Sequence, residues 1–174
     1  MISLNKTEEL LLKNSIDADA FDDKLYQTLL LGVFEALCKD ILKSNAKVSE
    51  RKEFIKFKNK TTAAKNLVSR YVGCELTEDG YARMGVLLSA FFSADDHRIQ
   101  FDESYREKLL RQQNGRCAIC NKKIDISSHL DHIIPFHYVG DSLKDNYQML
   151  CETCNTRKGD STYFELSMLL LNRG

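Results

Sequence analysis

Between Phe21 and Leu42 apolar residues return at every fourth position: Phe21, Leu25, Leu29, Val33, Leu37 and Ile41, with Leu30, Phe34, Cys38 and Leu42 beside them. That spacing lays a wide apolar stripe along a long helix and predicts that it packs on other helices. Thr61 and Thr62 precede Ala64, Leu67, Val68 and Tyr71, and Gly73 follows, the pattern of a capped helix with a glycine stop. A third helix is predicted from about Glu78 to Phe92, with Thr77 as its cap and Tyr81, Met84, Leu87, Leu88 and Phe91 on its buried face. Ser104 and Glu107 fit a capping box for a helix ending at Asn114-Gly115.

Beyond Gly115 the pattern changes. HLDHIIP (129–135) and YQML (147–150) read as strands on either side of a polar loop, FHYVGDSLKDN, and NTRKGD reads as a short helix packed across the hairpin. Thr162 and Glu165 fit a further capping box, opening a C-terminal helix with Tyr163, Leu166, Leu169 and Leu170 on one side. The polar stretch SADDHRIQFD (93–102) separates the two regimes. The expected fold class is α+β: a mainly helical domain over residues 1–100, then a smaller domain over 101–174. The helical domain carries no chemical motif and is assigned to targeting, dimerisation or partner binding.

Composition limits the class. A chain of 174 residues, 43% apolar and 29% charged, suits one ordinary domain or two small ones rather than a disordered segment. No uncharged apolar run approaches the roughly 18 residues of a membrane span. The first residues carry Glu8 and Glu9 and lack a basic stretch leading into an apolar core, so a cytoplasmic location is expected. The formal net charge of zero argues against a protein that coats nucleic acid unaided. Residues 39–70 nevertheless hold ten Lys/Arg against three Asp/Glu. That stripe reads either as a phosphate-binding surface or as a solvated helical face.

The cysteines carry the first specific chemistry. Cys117 and Cys120 form one C-x-x-C pair and Cys151 and Cys154 a second, with 30 residues between. Two such pairs supply the four thiolates of a structural zinc site; paired redox motifs are the competing reading, but neither sits in a β-α-β context. Cys38 and Cys74 lack close partners and read as small hydrophobes. Asp95, Asp96 and His97 read as a surface loop. Inside the cysteine frame, LDHIIP sets Asp131 and His132 side by side in an apolar strand, where neighbouring side chains leave on opposite faces.

RCAIC…LDHIIPFHYVGDSLKDNYQMLCETCNTRKGD resembles an HNH endonuclease of the zinc-stapled type, built on the ββα-metal fold, over roughly residues 105–162. The resemblance implies a metal-dependent hydrolase of phosphodiester bonds, DNA being the expected substrate and a 5′ phosphate the expected product end. It implies that His132 is the general base, Asp131 a metal ligand, Asn146 the residue that ties down the inter-strand loop and Asn155 the second metal ligand. The last position is Asn rather than His, an H-N-N pattern, and an amide oxygen beside a carboxylate favours magnesium or manganese.

The expected cofactors are therefore one structural zinc and one catalytic magnesium or manganese ion. His137, Arg157 and Lys158 are candidate phosphate contacts. His129 is assigned a structural role, and Asp160 the cap of its turn. Two other classes remain open at this stage: a zinc-stabilised nucleic-acid-binding module without catalysis, and a nuclease subunit active only within a larger complex. Restriction or antiphage defence is the expected setting, since a separate helical domain suits a targeted cutter.

Overall fold

The computed structural model describes residues 11–13 and 17–160. Its order is α1 (Ala18–Lys43), α2 (Lys47–Lys56), α3 (Lys60–Tyr71), α4 (Glu78–Ser93), α5 (Glu103–Gln112), β1 (His129–His132), α6 (Phe136–Val139), β2 (Tyr147–Leu150) and α7 (Glu152–Lys158). The predicted C-terminal helix, with Thr162, Tyr163, Glu165, Leu166, Leu169 and Leu170, lies outside the described residues.

The main core is built by α1, α3 and α4. Leu30, Phe34, Leu37, Cys38 and Ile41 of α1 pack against Ala63, Ala64, Leu67 and Val68 of α3 and Tyr81, Met84, Leu88 and Phe91 of α4. The four-residue count from Phe21 drifts off the true buried face. Leu29 is 60% exposed and Leu42 is 42% exposed, because burial follows the 3.6-residue turn through 30, 34, 37, 38 and 41. Gly85 permits the closest approach: a Cβ there would stand 2.9 Å from the carbonyl oxygen of Lys60.

Helix starts follow the best-placed acceptor. Thr77 accepts from the Gly80 N–H as expected. The start of α3 instead uses Asn59, whose Oδ1 accepts from the Thr61 N–H at 2.9 Å. That of α5 uses Asp102, which accepts from Tyr105 N–H while the Ser104 hydroxyl donates to the same carboxylate. The ionised Asp102 offers the positive helix end a charge that Ser104 lacks.

Helix α2 escapes a periodicity reading because Glu50 and Phe54 are its only buried residues. Glu50 accepts from Arg70 at 2.8 and 3.0 Å and from the Tyr71 hydroxyl at 2.8 Å, tying α2 to α3. Lys60 donates to the carbonyls of Phe54, Ile55 and Phe57 at the end of α2. Lys47 lies over the Phe91 ring and Lys65 over Tyr81. Part of the basic stripe at 39–70 is therefore committed to holding the helices together.

The apolar core does not stop at residue 100. Ile134, Tyr138 and Val139, from the segment after β1, are buried within it, and the Tyr138 ring packs edge-on against Phe34. The expected polar loop between the strands thus contains a helical turn, α6, which anchors the hairpin to the bundle. Its four residues are too few to show a period, and Pro135 sets its start.

Candidate functional site

Strands β1 and β2 pair antiparallel with His129 opposite Leu150, Leu130 opposite Met149, Asp131 opposite Gln148 and His132 opposite Tyr147. Alternation then sorts the side chains. Tyr147 and Met149 share a small cluster with Leu109 of α5, Phe101, Tyr105 and Leu130. Asp131 and Gln148 take the other face, toward α7. The carbonyl and N–H of Met149 are both bonded by the side chain of Gln113, which fixes the edge of β2 beside the first cysteine knuckle.

The four cysteines converge as their spacing predicts. The Sγ atoms of Cys117, Cys120, Cys151 and Cys154 lie within 4.8 Å of one another, with Cys120 and Cys151 at 3.7 Å. Tetrahedral zinc with Zn–S of about 2.3 Å needs sulfurs roughly 3.8 Å apart, so the donor set fits the ion. Burial pushes the Cys117 thiol up, but N–H groups of Cys120, Cys151 and Ile119 outweigh it and leave the thiol below its ordinary range. Burial and neighbouring sulfurs push Cys154 up. Four thiols packed this closely give up their protons together only when a cation balances them. Among the described residues this is the one group of three or more His, Cys, Asp or Glu side chains with metal-binding geometry.

Asn146, just before β2, is buried and ties the chain after β1 to it. Its Oδ1 accepts from the Ile134 N–H at 2.7 Å and its Nδ2 donates to the Ile134 carbonyl at 2.8 Å, in a residue only 3% exposed. The Ile133 N–H bonds its carbonyl as well. Asn146→Asp would turn the second bond into an oxygen–oxygen contact. The expected loss is about 2–4 kcal/mol, read as a lowered urea midpoint with zinc content unchanged.

Asp131 and His132 leave the end of β1 in different company. Asp131 Oδ2 accepts from Gln148 Nε2 at 3.0 Å and pairs with Lys158 Nζ at 3.0 Å. His132 Nε2 lies 2.7 Å from Asp141 Oδ1, and the imidazole is flanked by Phe136 and Tyr147. Asn155 stands one helical turn before Lys158 on α7, the helix whose Lys158 pairs with Asp131. The end of β1 therefore carries Asp131 and His132, with Asn146 bonded to the two residues that follow.

The three phosphate candidates are dispersed. Lys158 is 5% exposed, and its ammonium bonds Asp131 and the His132 carbonyl rather than facing solvent. It is a strut beneath the strand, and the expectation of a phosphate contact is withdrawn for it. Its aliphatic stem runs inward from the helix end, a path that sequence position alone does not reveal. Arg157, next to it on α7, is exposed. His137 is exposed on α6, its ring tilted against that of Tyr138. His129 opens β1 in an exposed position.

Sequence reasoning missed Asp141, Tyr147, Gln148 and Arg98. Asp141 and Tyr147 bond the imidazole's surroundings, Gln148 bonds the carboxylate, and Arg98 lies 4.3 Å over the ring of Phe136, which itself abuts His132. No spacing rule marks them. The cross-strand register alone would have found Tyr147 and Gln148 once both strands were placed.

A two-stranded hairpin crossed by a short helix, closed by four thiols and carrying Asp-His at a strand end, has the ββα arrangement that the sequence led us to expect. Residues 117–161 match the family model described as HNH endonuclease, so the chain carries an HNH domain of the zinc-stapled kind. No curated protein and no solved structure matches the chain. Among the described residues no helix is long and apolar enough to cross a membrane.

Proposed function

We propose that the protein is a metal-dependent endonuclease that hydrolyses phosphodiester bonds of DNA, with the helical part serving to target it or bind a partner. Restriction or antiphage defence is the setting we assign, on the ground that a cutter with its own helical part suits directed cleavage. The single observation that supports the catalytic reading is His132 set against the buried Asp141 carboxylate, next to Asp131 at the strand end, in a unit where four thiols converge. A non-catalytic binding module would have no use for a histidine oriented by a buried carboxylate.

In this reading the imidazole of His132 takes a proton from water. The water oxygen forms a bond to phosphorus, the bond from phosphorus to the 3′ oxygen breaks, and that oxygen leaves as a hydroxyl once protonated. The other fragment keeps a 5′ phosphate. Asp131 and Asn155 would hold magnesium or manganese, whose charge stabilises the phosphate and the departing oxygen when bound. Both offer oxygen donors, which suits a hard cation. Lys158 holds the Asp131 carboxylate in place through Oδ2, and Asn146 fixes the backbone that follows His132. Arg157 and the Arg98–Phe136 pair are the cationic groups we assign to the flanking phosphates.

The test is incubation of the purified full chain with supercoiled plasmid. Nicked or linear product is expected with magnesium or manganese and none after EDTA. Cutting that survives EDTA, or no cutting of DNA or RNA with any divalent metal by zinc-loaded protein, would overturn the reading.

A further inference from the structure

We infer that Asp141 is the positioning residue for His132, and that through it the segment joining the helical part to the nuclease unit holds the base in register. This rests on the reading of His132 as the base and identifies what orients it.

Asp141 has only 6% of its side chain exposed, against 21% for His132. Its Oδ1 receives His132 Nε2 at 2.7 Å and the Tyr147 hydroxyl at 2.6 Å, while its Oδ2 receives the Ile99 N–H at 2.6 Å. Burial pushes the carboxyl up, but the bonds from Tyr147, Ile99 and His132 prevail and hold it below the usual carboxylate range. Burial and the same carboxylate push the Tyr147 hydroxyl well up, so Tyr147 remains a donor. An ionised carboxylate only accepts hydrogen bonds, so the nitrogen facing it carries the hydrogen. Neutral His132 is thereby held as the Nε2–H tautomer, with Nδ1 left as the basic nitrogen.

The rest of the surroundings reinforce this. Phe136 and Tyr147 confine the ring on two sides, with centroids at 5.5 and 4.9 Å, and the carboxylate fixes its rotation. The loop that carries Asp141 is itself seated on the joining segment. Gly140, at φ +54°, lies so close that a Cβ would stand 3.0 Å from the Asp95 carbonyl oxygen. Ile99 thus bonds Asp141, and the preceding Gly140 lies close against the Asp95 backbone. A merely structural clamp would need only the Ile99 and Tyr147 bonds; the third, to Nε2, points to the reacting group.

The test is the tautomer of His132 in the zinc-loaded full chain with no other divalent metal. It is read by long-range 1H–15N correlation. The His132 signals are assigned by their loss in His132→Ala. The parent is expected to show Nε2–H, and Asp141→Ala a mixture of tautomers. Plasmid cleavage by Asp141→Ala is expected to fall roughly 10- to 100-fold in kcat with KM within about twofold, as when an orienting partner is lost. Asp141→Asn keeps an acceptor oxygen and is expected to recover part of both readouts.

An Nδ1–H tautomer in the parent would overturn the assignment without any variant needing to fold. So would an unchanged tautomer and rate in Asp141→Ala or, should that variant not fold, in Asp141→Asn. If His132→Ala cuts like the parent while the parent holds Nε2–H against Asp141, the base reading fails and the positioning contact stands. If His132→Ala is inactive and removing the Asp141 carboxylate changes nothing, the positioning role alone fails.

Discussion

Cys151→Ser is expected to lose the zinc and most of the stability of the segment from Arg116 to Asp160. Local backbone effects do not account for that outcome. Cys151 is the N-cap of α7, at φ −68° and ψ 156°, and makes no side-chain capping bond. Serine is a preferred N-cap, so the substitution alone should favour the helix slightly. What it removes is one thiolate of four, leaving Cys117, Cys120 and Cys154 to hold the ion.

Apart from Ile134, Tyr138 and Val139, which are buried in the bundle core, the HNH unit has little else to rely on. Its own apolar clusters are small, one around Leu109, Tyr147 and Met149 and one around Cys117, Leu150 and Cys154, and the second is composed partly of the metal ligands. Structural zinc contributes folding energy outright. A loss of roughly 5 kcal/mol would lower Tm by roughly 10–20 °C in a chain of this size. The bundle core, which contains none of the four frame cysteines, should keep its helical circular dichroism. Zinc content by elemental analysis and a thermal melt check the prediction. One zinc per chain with an unchanged melt would show that the four thiols are not the staple.

The zinc frame was the most legible feature because a thiolate pair has a fixed reach, and two C-x-x-C turns can do little else in the same chain. Asp131, His132, Asn146 and Asn155 were expected as a set only through the resemblance and its order within that frame. Asp141 was not. It sits nine residues beyond His132 in a polar loop, and only the folded hairpin, with α6 docked on the bundle, brings it to the imidazole. Lys158 misled for a related reason, since a lysine at a helix end reads as solvated until its stem is seen to run beneath a strand. In the helical part, apolar spacing found α1 and α4. It missed α2, whose sequence buries two side chains and carries its charge outward. The expectation of a basic stripe was legible as charge, but its division between structural ties and open surface depends on contacts between helices.

His132→Ala carries the largest expected effect on activity. General-base assistance contributes roughly 10²- to 10⁴-fold to a rate, and alanine leaves nothing in its place to accept the water's proton. The fold should tolerate the change. His132 is the last residue of β1, its side chain is 21% exposed, and its backbone carbonyl keeps the bond from Lys158 whatever the side chain. Zinc content and Tm should therefore stay close to those of the parent, which separates a lost base from a lost fold.

The most direct measurement is the initial rate of supercoiled-plasmid nicking by zinc-loaded parent and His132→Ala protein, side by side in magnesium or manganese. The expected result is a drop of roughly 10²-fold or more for the variant at unchanged zinc content, the range that removal of a general base produces. A variant that nicks as fast as the parent would contradict the assignment of His132 as the base, and with it the proposed active site.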